Sequence, residues 1–289
     1  MPVTKLFVEG DLDIELLTPI LTGSPLLEKG GPKGSLRPQA KREIDKDKER
    51  CNKRGEEPDT SQVAAGYLRD RDFDFSPPDD LSKPVIDKDI DGIPFGWRWC
   101  RHEIENYLIE PSLISSATTW PIAEVEDAIR NVARKIHYYE AARWTIGSVR
   151  RSLPPYHELN TRPDELKKKN FAIPSDLSLP TVNGWASSTI ASYREYFIEI
   201  TDEKKVNDTF SDMVARFDDP FTDNVESVLI WFAGKDILAA MAEWLKTKNS
   251  RINHPARFVE ILRDWVIANP EETLELLTEW KGLVKVLRA

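Results

Sequence analysis

The sequence has few cysteines and no long apolar run, and both absences exclude classes of protein. Cys51 and Cys100 are the only cysteines among 289 residues, too few for a disulfide framework or for a zinc site built from cysteines of this chain alone. They fit a reducing compartment, and we expect a cytoplasmic protein. No segment approaches the roughly 20 apolar residues of a transmembrane helix. We also expect no signal peptide, because a strand pattern begins at Lys5.

An excess of basic charge is missing as well. The formal net charge is −9, which argues against a protein coated in nucleic acid. It does not exclude a nuclease, because metal-binding carboxylates carry part of that charge. The glycine-rich stretch Gly30–Ser35 lacks the GxxxxGK[ST] spacing of a phosphate-binding Walker A loop. The chain therefore offers no motif for an ATPase activity of its own.

Two apolar segments that run into carboxylates are the most informative features present. The first is followed by Glu9 and Asp13, and the second, which begins at Val63, is followed by Asp70 and Asp72. Both have the pattern of buried strands, and ligand sites of open α/β sheets form at the carboxyl ends of such strands. Carboxylates gathered there repel one another unless a hard divalent cation lies between them. The pattern therefore predicts a Mg²⁺ site, with Mn²⁺ as the alternative ion, and phosphoryl or phosphodiester chemistry.

The spacing of these four carboxylates indicates how they would share an ion. Asp13 follows Glu9 by four residues, one turn into the next predicted helix, so both side chains can face the same ion. Asp70 and Asp72 are two residues apart. In a strand they would share a face, and at a strand end both can reach one cation.

Periodicity divides the chain into two parts. The first part alternates strand and helix patterns, and Ser76–Pro94, rich in proline and aspartate, is predicted to be a loop. Long helical periodicity follows, starting with a helix over Ile122–Leu153 in which Gly147 is a weak point. We therefore predict an α/β fold with a Rossmann-like, mainly parallel sheet domain at 1–113 and an α-helical region at 114–289.

Two motifs together resemble the Toprim fold, the metal-binding module of topoisomerases, primases and OLD-family nucleases. They are Val8-Glu9-Gly10 with Asp13, and Asp70-Arg71-Asp72, each preceded by an apolar strand. The segments His102–Leu108 and Gly234–Leu238 make the resemblance to Toprim proteins more specific. With them the chain is similar to compact Toprim nucleases related to the OLD family, including effectors that act beside ABC-type ATPases in anti-phage defence such as PARIS. The resemblance covers about the first 110 residues, a domain-sized unit.

The resemblance implies a role for each matching residue. Glu9 would bind metal or act as general base on water, and Asp70 and Asp72 would complete the catalytic metal site. Glu105 is the candidate for a second ion, and Lys235, from the helical region, would offset charge on the scissile phosphate. The resemblance also implies a nucleic-acid substrate, DNA or RNA including tRNA, and an ABC-type ATPase partner. The composition predicts no membrane association, and a homodimer stays open.

Structural roles compete with these assignments. Lys235 also fits an ordinary surface lysine at a helix start, and Asp74 fits a loop residue better than a third ligand. Glu103 and Glu105 alternate, so one of them is expected to face solvent. His102 is expected to be structural or to contact substrate, because Mg²⁺ prefers oxygen ligands.

Two other functions stay open. One is nucleotidyl transfer of the primase type, which the lack of a visible zinc-binding or template-binding module disfavours. The other is a non-catalytic binding module in which the acidic cluster holds a structural Mg²⁺ ion and the helical half docks a partner.

Overall fold

The computed structural model describes residues 2–23, 25–57, 63–88, 94–152, 163, 172–198, 201–248, 252 and 254–288. The strands are β1 Lys5–Val8, β2 Leu26–Lys29, β3 Gly66–Arg69, β4 Val85–Lys88 and β5 Pro94–Arg98. The helices are α1 Asp11–Ile20, α2 Lys33–Arg54, α3 Glu105–Leu108, α4 Pro111–Thr118, α5 Ile122–Ser152, α6 Leu179–Phe197, α7 Glu203–Arg216, α8 Asp219–Asp223, α9 Val225–Trp231, α10 Gly234–Ala240, α11 Ala242–Lys248, α12 Pro255–Ala268, α13 Pro270–Leu276 and α14 Thr278–Arg288.

The chain forms two compact units, which we call the sheet unit and the helical unit. The sheet unit contains Met1–Arg71, Pro77–Tyr107 and Ile261–Ala289, and the helical unit contains Asp72–Ser76 and Leu108–Glu260. The boundary predicted at residue 113 lies close to the crossing at Tyr107–Leu108. The C-terminal segment belongs to the sheet unit, where the backbone N–H of Val3 donates to the carbonyl of Leu287 over 3.2 Å.

The sheet unit contains a five-stranded sheet in the order β2-β1-β3-β5-β4. The pairs β1–β2, β1–β3 and β3–β5 are parallel, and β4 pairs with β5 in the antiparallel sense. The prediction of an α/β fold with a mainly parallel sheet, followed by a helical region, is confirmed. Strand β1 lies between β2 and β3, so the chain reverses its direction of progress across the sheet at β1.

Helix α2 covers one face of this sheet. Phe7 of β1 and Tyr67 of β3 form an apolar cluster with Ala65 and with Leu36 and Ala40 of α2. The two α2 residues are four positions apart and therefore lie on the same side of the helix. The rest of α2 is mostly exposed, and Gly55 with φ 69° ends it in the left-handed conformation.

Strand β4 lies within the Ser76–Pro94 segment that the sequence predicted to be a loop, so that prediction is wrong. Asp87 at the third position of β4 explains the difference. Its Oδ2 accepts from Nε of Arg69 at 2.9 Å, and its Oδ1 accepts from Arg98. This edge strand is stabilised, in spite of its polar sequence, by non-local bonds to an arginine of the adjacent β5 and to an arginine of β3, one strand further in.

The helical unit is built around α5, a single helix of 31 residues. Helices α4, α6, α7, α8, α9 and α10 pack against it. Many of its apolar side chains, among them Ile129, Ile136 and Ile146, are fully buried. The helix predicted over Ile122–Leu153 is therefore confirmed through Ser152, and Gly147 lies inside it without a break. Within the ranges described, no helix is both long and apolar enough to cross a bilayer.

Candidate metal centre in the sheet unit

Glu9 and Asp70 meet at one edge of the sheet. Each is the first residue after its strand, β1 for Glu9 and β3 for Asp70, and these two strands are parallel neighbours. The backbone N–H of Asp70 donates to Oε1 of Glu9 over 2.9 Å. Because the direction of chain progress reverses at β1, this edge is a topological switch point, where ligand crevices of open α/β sheets lie. The structure thus brings together the leading residues of the two acidic motifs.

Asp13 lies in the first turn of α1 and is buried. Its Oδ2 accepts from the backbone N–H of Gly10 at 3.0 Å. A carboxylate at this position satisfies an N–H of the turn that starts the helix and favourably meets the positive end of the helix dipole. Asp13 therefore has a structural role at the start of α1, in addition to its predicted role as a ligand.

The second acidic motif alternates buried and half-buried side chains. Arg71 and Phe73 are fully buried, whereas Asp70, Asp72 and Asp74 are only partly so. Strand β3 ends before this segment, which continues as a 3₁₀ turn over Asp72–Asp74. Asp70 and Asp72 therefore do not share a strand face. Instead, both carboxylates follow the end of strand β3.

Two residues of this segment have specific backbone constraints. Nε of Arg71 donates to the carbonyl of Cys100 over 2.9 Å, inside the sheet unit. Asp72, which belongs to the helical unit, has φ 47°. An L residue keeps that left-handed conformation only where its surroundings hold it.

The segment His102–Asn106 is buried throughout. Glu103 and Glu105 are 5% and 6% exposed, so the expectation that one of them faces solvent is wrong. The reason is that the segment turns into α3 and does not form a strand with alternating faces. Asn106 braces this turn, because its Oδ1 accepts from the backbone N–H of Glu103 at 3.1 Å. Glu105, predicted to bind a second ion, is the first residue of α3.

The arginines near the acidic motifs have structural partners. Nη2 of Arg69 lies 2.8 Å from Oδ2 of Asp87, and Arg98 pairs with the other carboxylate oxygen. The hydroxyl of Tyr67 also donates to Asp87, over 3.1 Å. Burial, followed by the charge of Asp87, raises the pKa of Tyr67 to about 12. Nη1 of Arg101 donates to the carbonyl of Asn106 over 2.9 Å.

Glu279 is a buried acid in the sheet unit that the sequence analysis missed. Its Oε1 accepts from the backbone N–H of Cys100 at 2.7 Å, and its Oε2 accepts from the hydroxyl of Tyr107. Burial is the main reason that the pKa of Glu279 rises to about 7. One signal was available: Glu279 lies four and eight residues before Leu283 and Leu287, on the apolar stripe of α14.

Lys235 lies in the helical unit, at the second position of α10, and is half-buried. Its neighbour Asp236 is 1% exposed and pairs with Arg143 of α5. Oε2 of Glu140, also on α5, accepts from the backbone N–H of Ala233 at 3.3 Å. Two buried contacts with α5 therefore fix the start of the helix that carries Lys235.

The donor chemistry of the Glu9–Asp70 edge fits a hard divalent cation. Both side chains are carboxylates, the ligands that Mg²⁺ prefers in proteins. Oδ1 of Asp70 is shielded from solvent, and placing a carboxylate oxygen there is costly unless positive charge or a hydrogen-bond donor compensates it. These two residues could hold a Mg²⁺ or Mn²⁺ ion.

A scan of the sequence against protein-family models gives no match, and a search of curated proteins gives none either. The function must therefore be inferred from the residues and their geometry.

Proposed function

We propose that this protein is a metal-dependent nuclease that hydrolyses phosphodiester bonds of DNA or RNA. One observation carries the proposal: Glu9 and Asp70 are joined by a 2.9 Å hydrogen bond at the carboxyl ends of adjacent parallel strands, at the switch point of the sheet. They are also the leading residues of the two motifs by which the sequence resembles Toprim nucleases.

The residues of the edge have distinct roles in this proposal. The Asp70 N–H holds Oε1 of Glu9 in place, which orients that carboxylate to bind an ion or to take a proton from the attacking water. Asp70 and Asp72 add negative oxygen ligands after β3. A bound Mg²⁺ would supply Lewis-acid polarisation of the phosphate and a more acidic water. Asp13 and Glu105 are further candidate ligands, and Lys235 is the candidate cation for the scissile phosphate.

The wider biological role rests on the resemblance alone. We infer an effector of anti-phage defence, restrained by an ABC-type ATPase partner, because the chain has no phosphate-binding loop of the Walker type and a toxic nuclease needs restraint. The proposal places the protein in the cytoplasm and accommodates a homodimer. It does not choose between DNA and tRNA as substrate.

The test compares wild-type protein with Glu9→Gln, using Mg²⁺ or Mn²⁺, plasmid DNA and total tRNA. Glutamine still offers an oxygen to the Asp70 N–H but loses the negative charge and the basic site. We expect cleavage by the wild type and a loss of about 10²- to 10⁴-fold in the variant. Glu49→Gln, an exposed position on α2, is the control for the change in charge and should cleave like the wild type.

Stability separates the catalytic proposal from the non-catalytic one. A catalytic carboxylate cluster gains stability when one like charge is removed, so Glu9→Gln should unfold at an equal or higher temperature than the wild type. Absence of metal-dependent cleavage by the wild type, together with a less stable Glu9→Gln, would replace the nuclease by a binding module with a structural ion.

A further inference from the structure

The turn that carries Asp72 is anchored within the helical unit through Phe73. The Phe73 side chain is 1% exposed. Its ring meets the Trp144 ring edge to face, with centroids 5.3 Å apart and planes at 82°. The Arg143 guanidinium lies 4.3 Å from the centre of the Phe73 ring. Aromatic and cation–π contacts of this kind fix both the position and the orientation of a ring.

Gly147 makes this anchor possible. A methyl group added at residue 147 would lie 2.5 Å from Cβ of Phe73 and 3.0 Å from its carbonyl oxygen. Both atoms belong to the turn itself and not to the flexible end of a side chain, so the turn would have to move. A glycine inside a helix costs about 1 kcal/mol relative to alanine, and close contact with Phe73 is the physical reason for glycine here.

Two arginines near the end of α5 bind the same turn. Arg151 donates to the carbonyl oxygen of Phe73, and Arg150 pairs with the carboxylate of Asp74. Asp72, with φ 47°, directly precedes the two residues that these arginines bind. A strained backbone conformation persists only when its surroundings determine it. Helix α5 supplies those surroundings on the C-terminal side of Asp72.

We propose that Phe73 and Gly147 are positioning residues, which hold the Asp72 turn in the conformation that its carboxylate needs to bind a divalent ion. This inference rests on the proposed nuclease function and adds to it the residues that orient the ligand Asp72. Neither residue touches substrate or ion. Their effect on cleavage passes through the geometry of Asp72.

The test measures how cleavage and ion binding depend on Mg²⁺ concentration in full-length wild type, Gly147→Ala and Phe73→Leu. Phe73→Leu keeps Cβ but removes the ring. It provides the same test if Gly147→Ala does not fold. The control is Gly184→Ala in α6, where an added methyl group meets no atom within 4 Å. Calorimetric titration with Mn²⁺ gives ion binding without reference to activity.

For both positioning variants we expect a 10- to 100-fold rise in the Mg²⁺ concentration for half-maximal cleavage, typical of lost support for a ligand. The rate at saturating Mg²⁺ should largely recover, and Mn²⁺ affinity should fall in parallel. A merely destabilised protein would lose rate at every Mg²⁺ concentration with an unchanged midpoint.

The possible outcomes are distinguishable. Unchanged midpoints and Mn²⁺ affinities in folded variants of an active wild type overturn the positioning role and leave the nuclease proposal intact. A wild type that neither binds Mn²⁺ nor cleaves refutes the nuclease proposal and the positioning role with it.

Discussion

Glu279 should make the stability of the sheet unit depend on pH in a direction opposite to that of most carboxylates. Burial raises its pKa from the ordinary 4.5 to about 7. A carboxyl group whose folded pKa lies above its unfolded pKa binds its proton more tightly when folded. The stability that it contributes is therefore present in full below about pH 4.5 and is lost as the pH rises through about 7.

The magnitude follows from the two pKa values. Each pKa unit corresponds to about 1.4 kcal/mol, so titration of this one group between pH 5 and pH 8 should lower the free energy of unfolding by about 2 to 3 kcal/mol. The donors opposite Glu279, the Cys100 N–H and the Tyr107 hydroxyl, favour the ionised form, as does the nearby Arg101 charge. They limit the rise in the pKa but do not cancel the effect of burial.

The assay is urea unfolding at pH 5 and pH 8, followed by tryptophan fluorescence. Trp280, next to Glu279, stacks on Trp99 with centroids 6.0 Å apart, so these two of the nine tryptophans contribute a signal from this region. Glu279→Gln keeps the shape of the side chain but cannot ionise. The wild type should therefore lose about 2 to 3 kcal/mol relative to the variant between the two pH values.

Glu275→Gln on the exposed part of α13 controls for the change in net charge. A difference in stability between wild type and Glu279→Gln that is the same at pH 5 and pH 8 would refute the reasoning. It would mean that the Glu279 carboxyl titrates in the folded protein as it does in the unfolded chain.

Two further variants test one packing contact in each unit. Asp236→Asn leaves the buried charge of Arg143 without its carboxylate and should lower the free energy of unfolding by about 3 to 5 kcal/mol, whereas the exposed Asp223→Asn should cost less than about 1 kcal/mol. Urea unfolding measures both, and equal losses would contradict a buried ion pair. Gly282→Ala forces a methyl group against the backbone before β4 and should cost about 1 to 3 kcal/mol. A melting temperature equal to that of Gly184→Ala would show that the neighbouring backbone moves to accommodate the methyl group at no measurable cost.

Local sequence was sufficient to predict that Glu9 and Asp70 each follow a strand. The pattern of an apolar run followed by an acid identified the ends of two strands, and parallel neighbours bring their carboxyl ends to the same edge. The hydrogen bond between the two residues also requires that β1 and β3 be neighbours, which the structure shows. The helix at Ile122–Ser152 was equally accessible, because its periodicity extends over many turns.

Features that depend on distant partners were not accessible. Strand β4 is held by the bonds of Asp87 to Arg98 on the adjacent β5 and to Arg69 on β3, one strand further in, and its own composition favours a loop. Glu279 bonds to Cys100, 179 positions earlier in the chain. A single sequence contains no measure of such pairings, so the position of Glu279 on the apolar stripe of α14 indicates its burial but not its partners.

The second acidic motif shows what a motif written as Asp-x-Asp omits. Arg71 within the motif and Phe73 directly after it are the buried residues of the segment, and each has its own partner, the Cys100 carbonyl for Arg71 and Gly147 for Phe73. Under the proposed positioning role, these two side chains fix the backbone on either side of Asp72. A sequence that keeps every carboxylate but changes Phe73 would still match the motif, and by the proposed positioning role it would bind the ion more weakly. The chemistry of such a site therefore depends on its apolar and basic positions as much as on its acids.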